Sequence, residues 1–242
     1  MNDLTDRQTK ILKAIIEEYI NDAEPVGSEK LERKYELGVS PATIRNEMIH
    51  LTETGYLKQP HTSAGRIPTT KAFHFYVNQL MQEKRLSVAE EVAAKEKVWD
   101  SRYDLDQLFH ESTRALAKHT HALAIAATDA GELYHAGYSN ILNLPEFYDI
   151  DVTKTVLSMI DDEDPLLRFF NDEYPEAINI LLGNELGFAC LEPCGMIFTR
   201  FKLKNNGKGL LGVIGANRFN YPEVIPIVRY YGDLIEELLQ NA

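Results

Sequence analysis

Residues 38–55 read GVSPATIRNEMIHLTETG, and this stretch sets the fold of the N-terminal part of the chain. Ser40 followed by Pro41 is a strong helix start, because a serine side chain caps free N–H groups and proline suits the first helical position. Gly55 fits the position just after a helix end. The apolar residues of the stretch recur at helical spacing and should face a core: Ile44, Met48 and Leu51.

Two helices are predicted before this one. Thr5 and Gln8 form a capping-box pattern that opens a first helix, and the following apolar residues recur with a helical period. Ser28 is expected to cap a short second helix, and Gly38 to supply a positive φ in the turn after it. A helix, a short helix, a glycine turn and a further helix are typical of a helix-turn-helix.

A small β-wing is predicted after the third helix. Residues 56–59 alternate like a strand, residues 60–65 are rich in turn formers, and residues 66–68 return as a second strand. A loop this small cannot bury much, so its polar side chains are not needed for a core. The pattern indicates a winged helix-turn-helix.

The third helix and the wing carry side chains suited to DNA. Arginine and asparagine are bidentate readers of guanine and adenine edges, whereas cationic and hydroxyl groups anchor phosphates. The same geometry occurs in proteins that never contact DNA, in which case Arg45 and Asn46 are simply solvated. The candidate DNA-binding residues are Ser40, Thr43, Arg45, Asn46, His50, Lys58, His61, Thr62, Ser63, Arg66 and Lys71.

The formal net charge of −12 does not exclude a DNA partner, because it is unevenly distributed. Residues 1–86 hold 12 basic and 12 acidic residues, whereas residues 87–242 hold 13 and 25. Electrostatic potentials decay within about 10 Å at physiological salt, so local charge decides phosphate binding. The acidity therefore argues against DNA contact for the second part of the chain only.

The whole chain is expected to form an α+β protein with three parts: a winged helix-turn-helix at 1–80, a helical linker at 81–104, and a domain of antiparallel strands at 105–242. A fourth helix is predicted over residues 68–85. In the last domain the helices are expected on one side of the sheet. The linker helices, within residues 73–116, and the last domain are candidates for a dimer seam.

No catalytic, metal or cofactor site is expected. Cys190 and Cys194 have no second ligand pair, and His119 and His121 lie elsewhere in the sequence. Residues 209–215 are glycine-rich but lack the lysine of a phosphate loop and fall in a strand, and the acidic residues 161–164 suit a helix start. We predict a non-enzymatic protein without a cofactor. The two cysteines, the polar N-terminus and the lack of a long apolar run indicate a cytoplasmic protein that does not span a membrane.

Three stretches resemble the heat-inducible transcription repressor (HrcA) family: residues 25–28, 38–48 and 55–68. The resemblance resumes at residues 138–142 and 145–147, at 183–185 and 187–188, and at 212–215, and it closes with Arg218 and residues 221–222. It implies a GAF-like second domain and a repressor of chaperone operons that binds an inverted-repeat operator as a homodimer. It also implies inactivation by heat and recovery assisted by the GroE chaperonin.

The chain departs from this family at one point. A long inserted segment, associated with dimerisation, usually separates the counterparts of residues 122–127 and 134–142, but here only residues 128–133 join them. We therefore expect a compact member without that insertion. The alternative function is a winged-helix regulator whose GAF-like domain senses a small ligand and controls other genes.

Overall fold

The computed structural model describes residues 4–161, 166, 168–170, 174, 176–203 and 206–241. The chain forms two compact units, Met1–Gln82 and Glu83–Ala242. The helix that the sequence analysis places in a linker belongs to the second of these units.

The first unit is a small helical body with a two-stranded sheet. Its elements are α1 (Asp6–Asp22), α2 (Ser28–Lys34), α3 (Pro41–Glu53), β1 (Leu57–Lys58), β2 (Ile67–Pro68) and α4 (Thr70–Phe75), which continues into a wider helical turn at Tyr76–Leu80. Strands β1 and β2 pair antiparallel, with Leu57 opposite Pro68 and Lys58 opposite Ile67.

Local signals in the sequence set most of these boundaries. The Thr5–Gln8 capping box is present, the Ser40 side chain caps α3, and Gly38 and Gly55 adopt φ of +67° and +78°. Two expectations were wrong. Gly27 rather than Ser28 is the N-cap of α2, and the fourth helix starts at Thr70 and ends at Leu80 instead of spanning residues 68–85.

The core of the first unit comes from one face of each helix. Its fully buried apolar side chains include Ile11, Leu12, Ile15, Ile16, Leu31, Ile44, Leu51 and Phe73. One charged group is buried with them: the Glu18 carboxylate lies 2.7 Å from Lys30 Nζ and 2.6 Å from Lys34 Nζ. This carboxylate joins α1 to α2.

The second unit contains the larger sheet. Its elements are α5 (Val88–Trp99), α6 (Leu105–Thr120), β3 (Leu123–Thr128), β4 (Leu133–Ala136), α7 (Tyr138–Leu142), α8 (Ile150–Asp161), β5 (Ile178–Leu182), β6 (Cys194–Lys202), β7 (Lys208–Ala216) and α9 (Tyr221–Asn241). The five strands are antiparallel in the order β4-β3-β7-β6-β5. Short 3₁₀ turns at Pro145–Tyr148, Arg168–Phe170, Gly183–Leu186 and Ala189–Leu191 lie between these elements.

Helices cover both faces of this sheet, so the expectation of helices on one side was wrong. Ile125 and Phe198 point to one face, where they share a core with Val156 of α8. On the other face, the rings of Phe109 of α6 and Phe201 lie 5.9 Å apart. A Cβ on Gly232 of α9 would lie only 2.3 Å from the Thr199 side chain. Alternation along each strand makes this possible, because neighbouring residues point to opposite faces and both can be apolar.

The glycines of β7 are packing residues, as the sequence indicated. A Cβ at Gly209 would lie 2.2 Å from the Phe201 ring, and one at Gly212 would lie 2.5 Å from the Phe198 Cβ. The stretch therefore serves close packing in a strand rather than phosphate binding.

Helix α5 packs against the rest of the second unit through one face. Ala94 and Val98 are buried, Tyr230 of α9 donates a hydrogen bond to the Glu91 carbonyl at 2.9 Å, and Lys95 pairs with Glu237 at 2.9 Å. The short linker predicted at 81–104 is thus built largely from a helix that belongs to the second unit.

The structure confirms the predicted fold class, a winged helix-turn-helix followed by an α+β unit with an antiparallel sheet. Within the part of the chain that the structure describes, none of the helices is both long and apolar enough to cross a membrane. The predicted acidic helix start at 161–164 lies outside the described residues except for Asp161.

Candidate nucleic-acid interface

Helix α3 presents its polar side to solvent. Ile44, Met48 and Leu51 are buried as predicted, whereas Arg45, Asn46 and the adjacent Ile49 are exposed. The Arg45 and Asn46 side chains form no hydrogen bond or ion pair with any residue that the structure describes. Both groups are therefore available to an external partner.

The amino-terminal end of α3 is fixed by its own side chains. Ser40 Oγ accepts a hydrogen bond from the Thr43 N–H at 3.3 Å, and the two hydroxyls lie 3.0 Å apart. Thr43 is half-buried and Ser40 exposed. These candidate residues thus hold the helix start that carries Arg45 and Asn46.

Glu47 is turned away from the exposed side of α3. Its carboxylate accepts hydrogen bonds from Arg7 Nε at 2.7 Å and from Gln8 Nε2 at 3.0 Å. Gln8 also accepts the Thr5 N–H in the capping box, so one side chain connects the start of α1 to α3. This contact neutralises the acidic group nearest to Arg45 and Asn46.

The wing is braced by a third segment of chain. Val26 and Arg66 exchange two backbone hydrogen bonds of 2.9 Å. At the adjacent Gly65, a Cβ would lie 2.4 Å from the Val26 carbonyl oxygen, so only glycine fits there. The wing is therefore fastened to the segment before α2 as well as to its own partner strand.

Gln59 organises the loop of the wing, and sequence reasoning missed it. Its Nε2 donates to the carbonyls of Thr62 at 3.0 Å and Ala64 at 2.9 Å. An amide reaching back across a turn has no local sequence signature beyond its position beside Pro60. Its effect is to hold the exposed side chains of the loop in place.

The loop presents three of the candidate residues. His61, Thr62 and Ser63 are exposed, and Ser63 Oγ lies 3.3 Å from His61 Nδ1. Lys58 of β1 is half-buried, and His50 of α3 is exposed with Nδ1 3.8 Å from Glu53. Hydroxyl, imidazole and ammonium groups are thus brought together on α3 and the wing.

Arg66 and Lys71 have structural contacts that the sequence did not predict. Arg66 Nε donates to Thr52 Oγ1 of α3 at 3.0 Å. Lys71 Nζ donates to the Thr54 carbonyl at the end of α3 at 2.9 Å and lies 4.1 Å from the centre of the Tyr56 ring. A cation suits this position, since the carboxyl end of a helix carries partial negative charge.

A cleft of about 480 Å³ lies between α3, the start of α2 and the wing. Its lining includes Ser28, Arg45, Ile49, Ser63 and Arg66. It therefore joins the exposed side of α3 to the wing, with two guanidinium groups, several hydroxyls and the Glu29 carboxylate along one concave surface. Such a surface matches the phosphate and base-edge contacts by which proteins hold DNA.

The cysteines do not form a metal centre with neighbouring groups in the described part of the chain, where no cluster of three or more potential ligands occurs. Cys190 is exposed and Cys194 is buried, and both are free thiols. Burial raises the pKa of Cys194 to about 12, so this thiol stays protonated at neutral pH.

An exposed helix with arginine and asparagine beside a braced wing defines a winged-helix DNA-binding regulator. The comparisons with known proteins identify which kind. The profile described as the winged helix-turn-helix transcription repressor, HrcA DNA-binding, matches residues 3–82, and the HrcA protein C-terminal domain matches residues 43–225. The chain belongs to the HrcA family of heat-inducible transcription repressors, and the resemblance seen in the sequence is confirmed. The family is one of repressors rather than of enzymes.

Relatives match along almost the whole chain. The heat-inducible transcription repressor HrcA of Symbiobacterium thermophilum is 29% identical over 336 positions, covering 97% of this chain and 98% of the relative. That of Desulforamulus reducens is 29% identical, covering 93% and 94%. Since the 336 aligned positions exceed the 242 residues of this chain, the relative contains segments that are missing here. This agrees with a compact member, in which β3 and β4 form a tight hairpin.

A solved structure supports the fold. The crystal structure of a hypothetical protein at 2.2 Å resolution is 18% identical, covers 99% of each chain and superposes with a TM-score of 0.77.

Proposed function

We propose that this protein represses chaperone operons in the cytoplasm by binding an inverted-repeat operator as a homodimer. Helix α3 reads base edges with Arg45 and Asn46, supported by Thr43 and His50. The wing and its flanks contact phosphates through Lys58, His61, Thr62, Ser63, Arg66 and Lys71, and Ser40 contributes at the start of α3.

The observation that carries the proposal is the exposure of Arg45 and Asn46 beside the wing cleft. Each is one of the side chains that form bidentate hydrogen bonds with a base, and neither is used within the first unit. The nearest acid on α3, Glu47, is neutralised by Arg7. The charge of Glu47 is thus compensated where a DNA backbone would approach Arg45 and Asn46, and the lining of the cleft also includes the exposed carboxylate of Glu29.

The proposed dimer follows from the size of this surface. One winged helix covers too little DNA to select its site among the many competing sites of a genome, whereas two copies on an inverted repeat square the discrimination. Heat sensitivity and recovery through the GroE chaperonin are carried over from the family resemblance.

Fluorescence anisotropy with the full chain tests the proposal. The probes are duplexes from the organism's own chaperone-operon promoters that contain an inverted repeat, and the same duplexes with both half-sites scrambled. We expect binding at least about 10³-fold tighter to the intact repeat at physiological salt. Equal affinity for the two probes would contradict sequence-specific repression.

Two further titrations complete the experiment, one with a duplex that contains a single half-site and one with small metabolites added. A dimeric repressor binds one half-site much more weakly than the full repeat. If operator binding instead depends on an added small molecule, the regulator is a ligand sensor and the heat-dependent repressor is the wrong assignment.

A further inference from the structure

Helix α3 carries one large apolar side chain on its solvent side. Ile49 exposes 42% of its surface, and within the described residues of the first unit it is the one large apolar side chain that is exposed. The buried stripe of α3 consists of Ile44, Met48 and Leu51, and Ile49 lies outside it. The packing of the first unit therefore does not explain an isoleucine at this position.

Ile49 lies among the polar side chains of the candidate interface. Arg45 precedes it by one helical turn, so the two side chains are neighbours on the same side of α3. Both line the cleft between α3 and the wing, together with Ser63 and Arg66. Three residues further along the helix, Thr52 Oγ1 accepts a hydrogen bond from Arg66 Nε at 3.0 Å. The isoleucine is therefore flanked by Arg45 on one side and by the contact of Arg66 with Thr52 on the other.

A DNA duplex presents one apolar group in its major groove, the C5-methyl group of thymine. The other groups on the base edges are hydrogen-bond donors and acceptors, with which an isoleucine side chain cannot pair. Covering the amino group of a cytosine with an apolar side chain would leave a donor without a partner. Burial of a methyl group against Ile49 is instead favourable, and amounts to about fourfold in affinity.

The side chain and its helix are both fixed before any partner binds. Isoleucine is branched at Cβ, so a single χ1 rotamer dominates in a helix and little conformational entropy is lost on contact. The start of α3 is capped by Ser40, and Glu47 holds the helix to Arg7 and Gln8 of α1. Such rigidity matters here, because a contact with one methyl group depends on accurate placement.

We propose that Ile49 is a specificity-determining residue that contacts the C5-methyl group of a thymine in each half-site of the operator. The inference rests on the proposed function, since this contact exists only when α3 lies in the major groove. Arg45 and Asn46 pair with hydrogen-bonding groups on the bases. Ile49 adds the apolar contact that distinguishes thymine from cytosine at a neighbouring position.

Anisotropy titrations of the full chain with uracil-containing operators test the contact. Deoxyuridine keeps the hydrogen-bonding groups of thymidine and lacks only the C5-methyl group, so each duplex carries one thymine-to-uracil replacement in one half-site. We expect one position at which the replacement weakens binding of the unaltered chain about fourfold. The Ile49→Ala variant should bind the thymine and uracil duplexes equally at that position.

Two further variants serve as controls. Ile49→Val keeps a branched apolar side chain and should retain most of the response to uracil. Ile150→Ala changes an isoleucine that is 73% exposed at the start of α8, in the second unit, and should respond like the unaltered chain. Ile49→Ala should stay folded, because alanine is the better helix former and position 49 lies outside the core. Thermal unfolding followed by circular dichroism checks this.

The outcomes separate this inference from the proposed function. If the chain binds the intact operator specifically but none of the uracil positions responds, or if Ile49→Ala keeps the response, only the inference fails. It also fails if Ile49→Ala weakens binding to operator and scrambled duplexes equally, because the side chain then contacts the sugar-phosphate backbone. If the unaltered chain does not distinguish the operator from scrambled DNA, the proposed function fails together with the inference.

Discussion

Gln8 of α1 donates a hydrogen bond of 3.0 Å to the Glu47 carboxylate of α3, while its own side-chain oxygen accepts the Thr5 N–H. The residue that closes the capping box of the first helix thus also positions the third. Glu47 is largely covered and accepts a second, charged hydrogen bond from Arg7. The orientation of α3 against α1 is therefore set by a polar contact as well as by the apolar core.

Glu47→Ala should lower the free energy of unfolding of the first unit by about 1 kcal/mol, since it removes a partly screened ion pair and leaves the Gln8 amide without its acceptor on α3. Urea unfolding followed by circular dichroism measures the change. Glu53→Ala is the control, because Glu53 is exposed at the end of the same helix. Equal stability of the two variants would show that the contact contributes nothing.

Asn46→Ala should cost about 1–3 kcal/mol of binding to the operator while leaving binding to random DNA nearly unchanged, because a base contact carries sequence information and a phosphate contact does not. Anisotropy titrations on both probes give the two values. Asn78→Ala changes an exposed asparagine elsewhere in the first unit and should affect neither. Parallel losses on operator and random DNA would exclude base reading by Asn46.

Arg66→Ala and Lys71→Ala should each weaken binding to all sequences and flatten the slope of log K against log salt by about one unit, because each phosphate contact releases counterions. Lys10→Ala, which removes an exposed charge from α1, should leave the slope unchanged. Thermal unfolding of each variant is measured alongside, since both residues also contact α3. Unaltered slopes for both would place the wing away from the phosphates.

Acid should destabilise the first unit through Glu18. Burial by itself raises the pKa of this carboxyl, but the hydrogen bonds from Lys30 and Lys34 outweigh it and lower the pKa from 4.5 to about 2. The folded state therefore binds the proton less readily than the unfolded state, so the stabilisation is complete above about pH 5 and is lost as pH falls towards 2. It corresponds to roughly 3 kcal/mol at neutral pH.

Unfolding monitored by hydrogen exchange between pH 6 and pH 3 measures this dependence for the first unit alone. The Glu18→Gln variant should have a lower free energy of unfolding at pH 6. Its free energy of unfolding should also fall less on acidification than that of the unaltered chain. Glu29→Gln, at an exposed position on α2, should behave like the unaltered chain. A Glu18→Gln variant with the same acid response would contradict the assignment.

The sequence predicted those features that depend on neighbouring residues. The caps at Thr5 and Ser40, and the positive φ at Gly38, follow from local chemistry and are all present. The buried face of α3 could be predicted equally well, because the helical period of the apolar residues identifies those that face a core.

Contacts between distant residues could not be predicted in the same way. Gln59, Lys71 and Glu47 find their partners only after the chain has folded, and each partner is a backbone carbonyl or a side chain with no sequence pattern. The uninterrupted apolar run of β3 is typical of a strand covered on both faces, but it does not show which helices cover them. The candidate site was thus predictable as a set of polar residues on α3 and around the wing, and the contacts that hold them in place were not.

Heat should abolish operator binding through the second unit. Residues 87–242, nearly all of the second unit, carry the whole net charge of −12, so the compact state of this unit contains self-repulsion. Domains of this size hold only about 5–15 kcal/mol of stability. Loss of its packing would release the two winged helices from a fixed spacing. We expect operator binding to disappear near the unfolding midpoint of residues 83–242, while the first unit remains protected from hydrogen exchange at that temperature. Added GroE chaperonin with ATP should raise the fraction of protein that binds the operator after a heat pulse. If binding persists through that midpoint, or if recovery is the same without chaperonin and follows an added small molecule, the trigger is a ligand and not the stability of the second unit.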